Sequence, residues 1–326
     1  MLDFKYNLQL FANPNTNTTA SEGLSDEMKT YYSDYLIDNA QPELVHDQFG
    51  QKHPIPKNGG KKIEFRKFLP FAKATTPIQE GVTPDGQSLS VTKIEATVDQ
   101  YGAYVTLSDI VQLTAIDNTL LETTKLLGSQ AGMTLDTITR EVINGGTSVI
   151  FAGGKEGRAS LDETCKLTVD DIYKAARFLK TQNAPKIDGS YVAIIHPDVA
   201  YDLMRDDEWI DVHKYSETKE IFEGEIGKIA GVRFVETTEA KIFADGGKDG
   251  RDVYSTLVLG ANAYGVTELT GGGLQHIVKQ LGSGGTADPL NQRGTAGWKA
   301  TKVAEILVEN YMTRIESCST FESGAN

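Results

Sequence analysis

Cysteine and histidine are scarce in this chain: two cysteines, Cys165 and Cys318, and five histidines in 326 residues. Neither cysteine stands in a metal-spaced pair, so the two fit a reducing compartment or simple burial, with one disulfide possible but not required. His46, His53, His196, His213 and His276 are dispersed, and no two share a helix-face spacing. No window reaches the apolar length that spans a bilayer, so no membrane partner is expected. The opening residues 1–12 interrupt Leu8, Leu10 and Phe11 with Asp3, Lys5, Asn7 and Gln9, which leaves no signal-peptide core and predicts that the chain stays in the cytoplasm of whatever cell makes it. Positive charge is also in deficit. The 32 Lys and Arg face 45 Asp and Glu, a net charge of -13, with no basic run beyond Lys61-Lys62 and its flanks. Duplex binding needs Lys and Arg to displace counterions, so this balance argues against a nucleic-acid-binding surface.

Enzyme signatures are missing as well. The chain contains no G-x-S-x-G, no H-E-x-x-H, no G-x-x-x-x-G-K-[ST], and no G-x-G-x-x-G after a strand. His196, followed by Pro197, reads as a strand-to-helix corner rather than a general base; a hydrolase using His196 and Asp198 is the alternative from a different class. The run Asp245–Asp252 has the acidic residues and central glycine of a calcium loop. Gly247 replaces an acidic ligand, though, and Thr256 stands where a bidentate Glu belongs, so a solvated turn is expected. Gly271–Gly273 and Gly282–Gly285 lack the adjacent Lys and following helix of a phosphate cradle. The sequence therefore predicts no catalytic residue, no cofactor and no metal.

What the chain does have is ordinary globular composition, 39% hydrophobic and 24% charged, with length enough for one large or two modest domains. Its most informative stretch is residues 57–109. Lys61 to Phe68 alternates, with Ile63 and Phe65 on one face; a return strand from near Val91 places Ile94, Ala96 and Val98 on one face and then changes parity near Tyr101-Gly102, which predicts a bulge. The connection from Ala72 to Ser88 is several times the usual length. A two-stranded ribbon is marginal alone, so a hairpin this long implies docking, on its own core or on another chain. A second strong signal is a long helix from near Asp117 to Asn144, with Leu120, Leu127, Leu135, Ile138 and Val142 along one face and a stop at Gly145-Gly146. Residues 1–24 read as an extended arm, and 25–56 as a short helix, capped near Ser25, and linker. Residues 168–270 read as a mixed α/β unit: a helix capped by Thr168, a strand Tyr191–Ile195, a helix after Pro197, and strands near Gly231 and Tyr254. Residues 110–167 hold the long helix, and 271–326 are expected to return as strands to that same body. The fold class is α+β.

The order arm, short helix, long hairpin, spine helix, α/β unit and returning strands resembles the Johnson-fold major capsid proteins of tailed phages. The wording Ala74–Gln87 (ATTPIQEGVTPDGQ), Gln100–Asp109 (QYGAYVTLSD) and Ile195–Asp198 (IHPD) is similar to phrases of one large capsid branch, and Asn7–Ala12 (NLQLFA) to the opening of many phage structural proteins. The resemblance implies an icosahedral virion shell around packaged DNA, enclosed without sequence-specific binding, with the chain itself as its partner in pentamers and hexamers. It also implies a separate scaffolding protein and a portal. On this resemblance the hairpin is the extended loop over a neighbouring subunit, with Phe65, Arg66, Thr76, Pro77, Glu80, Gly81, Pro84, Asp85 and Gly86 at the contact. Residues 110–167 and 271–326 become the peripheral domain and 168–270 the axial domain. A shell protein of the same architecture that encloses enzymes is the alternative within the fold.

Overall fold

The computed structural model describes residues 44–54, 61–68, 71–77, 80, 81, 83, 85–114, 119–214, 227–268, 273–285 and 288–326, together with Leu36 and Ala40. The expected arm and the helix capped near Ser25 lie outside the described residues, save that Leu36 and Ala40 are helical and buried. In chain order, β1 (Gln51–His53) precedes the hairpin strands β2 (Lys62–Phe68) and β3 (Val91–Thr97), then β4 (Asp99–Ser108), α1 (Asp109–Thr114) and the spine helix α2 (Thr119–Asn144). There follow β5 (Val149–Phe151), α3 (Val169–Thr181), β6 (Tyr191–Ile195), α4 (Pro197–Met204), α5 (Asp207–Lys214), β7 (Lys228–Ile229), β8 (Val232–Glu236) and β9 (Ile242–Phe243). The rest is β-structure: β10 (Val253–Leu259), β11 (Tyr264–Thr267), β12 (Leu274–Lys279), β13 (Arg293–Lys302), β14 (Ala304–Ile306) and β15 (Met312–Ser317). Contacts divide the chain into two compact units, one of residues 1–41, 102–130 and 275–299, the other of 42–101, 131–274 and 300–326.

The larger unit is organised by a seven-stranded sheet in the order β5-β15-β10-β6-β8-β7, with β9 paired to β10. β6 runs parallel to β8 and antiparallel to β10, which lies antiparallel to β15. Every residue of β6 and β10 is buried, as a strand covered on both faces requires. One face meets the helices: Tyr191, Ala193, Ile195, Tyr254 and Val258 pack with Ile172 and Leu179 of α3, Val199 and Leu203 of α4, and Trp209 of α5. The opposite face, with Ile194, Leu257 and Leu259, packs with Ile143 of α2 and with Tyr264 and Val266 of β11. Thr168 caps α3 as expected, accepting from the Asp171 N–H. The last strand departs from expectation. β15 enters this sheet between β5 and β10, so the returning segment completes the α/β unit rather than only the body of the spine helix.

The spine helix has the expected length and stop, but its buried seam is rotated. Leu127 and Leu135 are buried, whereas Leu120, Ile138 and Val142 are only half-buried. The seam continues instead through Asp136, Thr139, Arg140 and Ile143. These polar groups are tied down. Asp136 accepts from the His46 N–H at 2.7 Å and meets His46 Nδ1 at 2.6 Å. The Thr139 hydroxyl donates to Asp47, whose other oxygen accepts from Lys302, a lysine fully buried in its side chain. Tyr264 closes the cluster by donating to the His46 carbonyl. A buried charge persists only when paired and hydrogen-bonded, and each charged member of this cluster is.

In the smaller unit, β4, β13 and β12 form a three-stranded sheet. This corrects the expected bulge at Tyr101-Gly102. The hairpin ladder ends at Thr97, and β4 pairs with β13, so the parity change marks a passage from one sheet to another. Gly102 instead permits a close approach. A Cβ there would stand 2.7 Å from the Trp298 carbonyl, so the two backbones meet where only glycine fits.

Candidate functional site

The hairpin is two structures in one. Its root is a seven-pair antiparallel ladder, Lys62 opposite Thr97 through Phe68 opposite Val91. The inner face, Ile63, Phe65, Ala96 and Val98, is buried with Val303 and Leu307 packed against it. Phe65 is 1% exposed. It meets His53 edge-on, ring centroids 4.8 Å apart, and fills the space over Gly265, where a Cβ would collide with its ring. Phe65 is thus an anchor of the hairpin on its own unit, which corrects its assignment as a contact for a neighbour. The outer face carries Lys62 with Glu95 at 2.9 Å, and Glu64 with Arg66 and Lys93 at 3.2 and 3.5 Å. These pairs are exposed, and each contributes little to stability.

Beyond the root the regular structure stops. The described residues between Phe71 and Ser90 are all exposed and form no strand or helix. Thr76, Pro77, Glu80, Gly81, Asp85 and Gly86 lie in this tip; Pro84 lies outside the described residues. Gln87 Nε2 donates to the Ala72 carbonyl at 3.2 Å across its base, and Gly81 adopts φ +80°, a left-handed value that suits glycine. Phe71 and Leu89 are 59% and 61% exposed. Polypeptide of this length with apolar side chains in water is what a partner surface would cover.

The groups considered for catalysis are arranged for structure. His196 Nδ1 accepts from the Asp198 N–H at 3.2 Å and so caps α4, which occupies the nitrogen that would face the Asp198 carboxylate. That carboxylate is taken up by Tyr254 at 2.9 Å and Ser323 at 2.5 Å. Serine and aspartate meet directly here, with no histidine between them, the reverse of a nucleophilic relay. Burial lowers the His196 pKa, against a smaller upward pull from Asp198, and pushes Tyr254 up to about 12. In the loop Asp245–Asp252, Asp252 spends its oxygens on the N–H groups of Asp245 and Gly324. Among the described residues no cluster of His, Cys, Asp or Glu could hold a metal ion. Cys165 and Cys318 are both free and buried, linked by a backbone hydrogen bond of 2.9 Å, and burial pushes the Cys318 thiol up to about 11.

The tail is fastened by the same kind of chemistry. Ser319 and Thr320 bond Asp202, a carboxylate that burial would raise but these donors hold below its usual range. Arg158 grips Glu316 through two nitrogens at 2.7 and 2.8 Å, Arg314 adds a third bond at 2.8 Å, and Arg158 also lies 3.4 Å over the Phe243 ring. None of these side chains was singled out from the sequence.

An exposed extended loop, a spine helix and a sheet covered on both faces define a class, the Johnson-type capsid fold. Solved structures of that class match the chain over most of its length. The capsid of Ralstonia phage GP4 is similar with a TM-score of 0.67 and 16% identity, covering 82% of this chain and 86% of the other. The capsid of cyanophage P-SCSP1u gives 0.65 at 14% identity, over 85% and 89%. The cyanophage Pam1 capsid gives 0.66 at 12% identity, over 99% and 100%. The family model described as Phage capsid protein matches residues 123–282, from the spine helix through the α/β unit to β12. No curated protein matches the chain. The fold is that of the tailed-phage capsid structures, and the Phage capsid protein model matches just under half of the chain.

Proposed function

We propose that the chain is the subunit of an icosahedral head shell, joined in pentamers and hexamers, that encloses the double-stranded DNA genome of a tailed phage. The observation that carries this reading is the division of the hairpin: a root fixed in its own unit by Phe65 and a tip whose described residues are all exposed. Such a lever is built to lie on a neighbour. The contact on the neighbour is made by the tip, with Thr76, Pro77, Glu80, Gly81, Pro84, Asp85 and Gly86, and by Arg66 on the outer face. Residues 168–270 serve as the axial domain, and the body of the spine helix as the peripheral domain. A separate scaffolding protein and a portal complete the head, and assembly takes place in the host cytoplasm. The charge of -13 keeps the wall from holding DNA tightly, which suits a genome driven in and released by other machinery. The role requires no catalytic residue and no cofactor.

The test replaces residues 77–86 by a two-residue turn. The variant is expected to stay folded and soluble by circular dichroism while forming no shells by electron microscopy. Shells of parental size from that variant would remove the hairpin from the assembly contact.

A further inference from the structure

The helix layer of the larger unit is electrically lopsided. Residues 173–186 hold four basic side chains, Lys174, Arg177, Lys180 and Lys186, and no acidic one. Residues 198–226 hold ten Asp and Glu against three Lys and Arg, a net of -7 within a chain of -13. The basic segment surfaces on α3, whose Ile172, Ala175, Ala176 and Leu179 turn inward while Tyr173, Lys174, Arg177 and Lys180 are exposed. Lys174 is held by Asp170 and Asp171 at 2.8 and 3.0 Å, so Arg177 and Lys180 carry most of the outward charge. Among the described residues Asp198, Asp202 and Asp206 are held by internal hydrogen bonds, so the acidic segment surfaces at the first turn of α5, just after the exposed Arg205. There Asp207 and Glu208 are exposed beside Ile210, while Trp209 turns inward onto Phe234, 5.5 Å between centroids.

The two faces lie on different helices of one layer, which meet where the Val169 N–H of α3 donates to Asp206, just before α5, at 3.1 Å. α3 packs on β15 and α5 on β8, and β10 and β6 lie between those strands in the sheet. Copies of a chain at -13 repel one another, so association needs a contact that offsets like charge. A two-fold contact through either face would set basic on basic or acidic on acidic. A contact between the two different faces pairs opposite charges, and head-to-tail contacts of that kind close into rings. Tyr173, 49% exposed, and Ile210, 41% exposed, add an apolar side chain to each face.

We infer that the basic outer face of α3 on one copy docks on the acidic first turn of α5 on the next, joining the helix layers head to tail within a capsomer. The inference rests on the shell reading above and names the contact that closes its rings. The test uses the full chain under conditions where the parent forms shells. Arg177→Glu with Lys180→Glu, and separately Asp207→Lys with Glu208→Lys, reverse one face each; a third variant carries all four changes. All four positions are exposed, and melting curves of the unassembled subunits check that the fold survives. Each reversal alone is expected to raise the subunit concentration needed for shells about 100-fold, since like charges then face each other across the contact. The four-fold variant is expected to return to within about tenfold of the parent. Assembly of either single-face reversal at the parental concentration, or failure of the four-fold variant to recover, overturns the docking. A parent that forms no shells counts against the shell reading itself, whereas parental shells with unaffected reversals count against this contact alone.

Discussion

At the residue scale, His196 shows how a side chain that looks catalytic can be a corner post. Its burial depresses the imidazole pKa, so the folded chain holds it neutral and the unfolded chain takes up a proton first. A histidine shifted this way contributes stability in full above its ordinary pKa of about 6.5, and that contribution falls as pH drops from there through the lower folded value. His276, also depressed by burial, adds in the same direction. His196→Asn keeps an acceptor for the Asp198 N–H and removes the titration. Urea unfolding of the subunit is expected to show a shallower loss of stability between about pH 6.5 and pH 5 in this variant than in the parent; an unchanged slope would assign the acid sensitivity elsewhere. The corner was legible because Pro after a strand has one comfortable place, the first turn of a helix. The polar seam of the spine helix was not. Asp136, Thr139 and Arg140 read as solvent-facing by type, and partners far away in sequence, His46, Asp47 and Glu239, help to bury them.

At the scale of the element, the hairpin divides labour between an apolar root and a polar tip. Alternation in Lys61–Phe68 gave the ladder and its inner face correctly, because one buried face fixes the register of an antiparallel pair. The same alternation could not say where β3 gives way to β4, since a strand that changes partners and a strand that bulges both shift parity by one. Nor could it tell a residue buried at home from one buried on a neighbour, which is why Phe65 was placed on the wrong side of that line. Phe65→Ala would empty the root next to Gly265 and His53. A loss of about 3–5 kcal/mol in subunit stability is expected from denaturant unfolding. If Phe65 instead lay in a contact between copies, the isolated subunit would lose almost nothing.

On the scale of the molecule, two compact units and one exposed loop describe a protein whose described core is settled while part of its surface is not. The tip offers a direct reading of this. Lys73 is exposed in a stretch without regular structure, so brief trypsin treatment of the unassembled subunit is expected to cut there, and the same treatment of shells to leave the bond intact, as fragment masses would show. Equal cutting in both states would mean that the tip stays bare after assembly. The order of elements along the chain was readable because each keeps its own period; their grouping into sheets was not, because β15 pairs with β10 and β5 across long stretches of intervening chain. Long-range partnership also constrains how such a protein can diverge. Asp47 and Lys302 stand 255 positions apart and neutralise each other out of reach of water. Losing either alone strands the survivor's charge, at a cost of about 3–5 kcal/mol. Descendants of this gene are therefore free to keep the couple or to exchange both members together for a greasy pair, and lineages that changed one first should be rare.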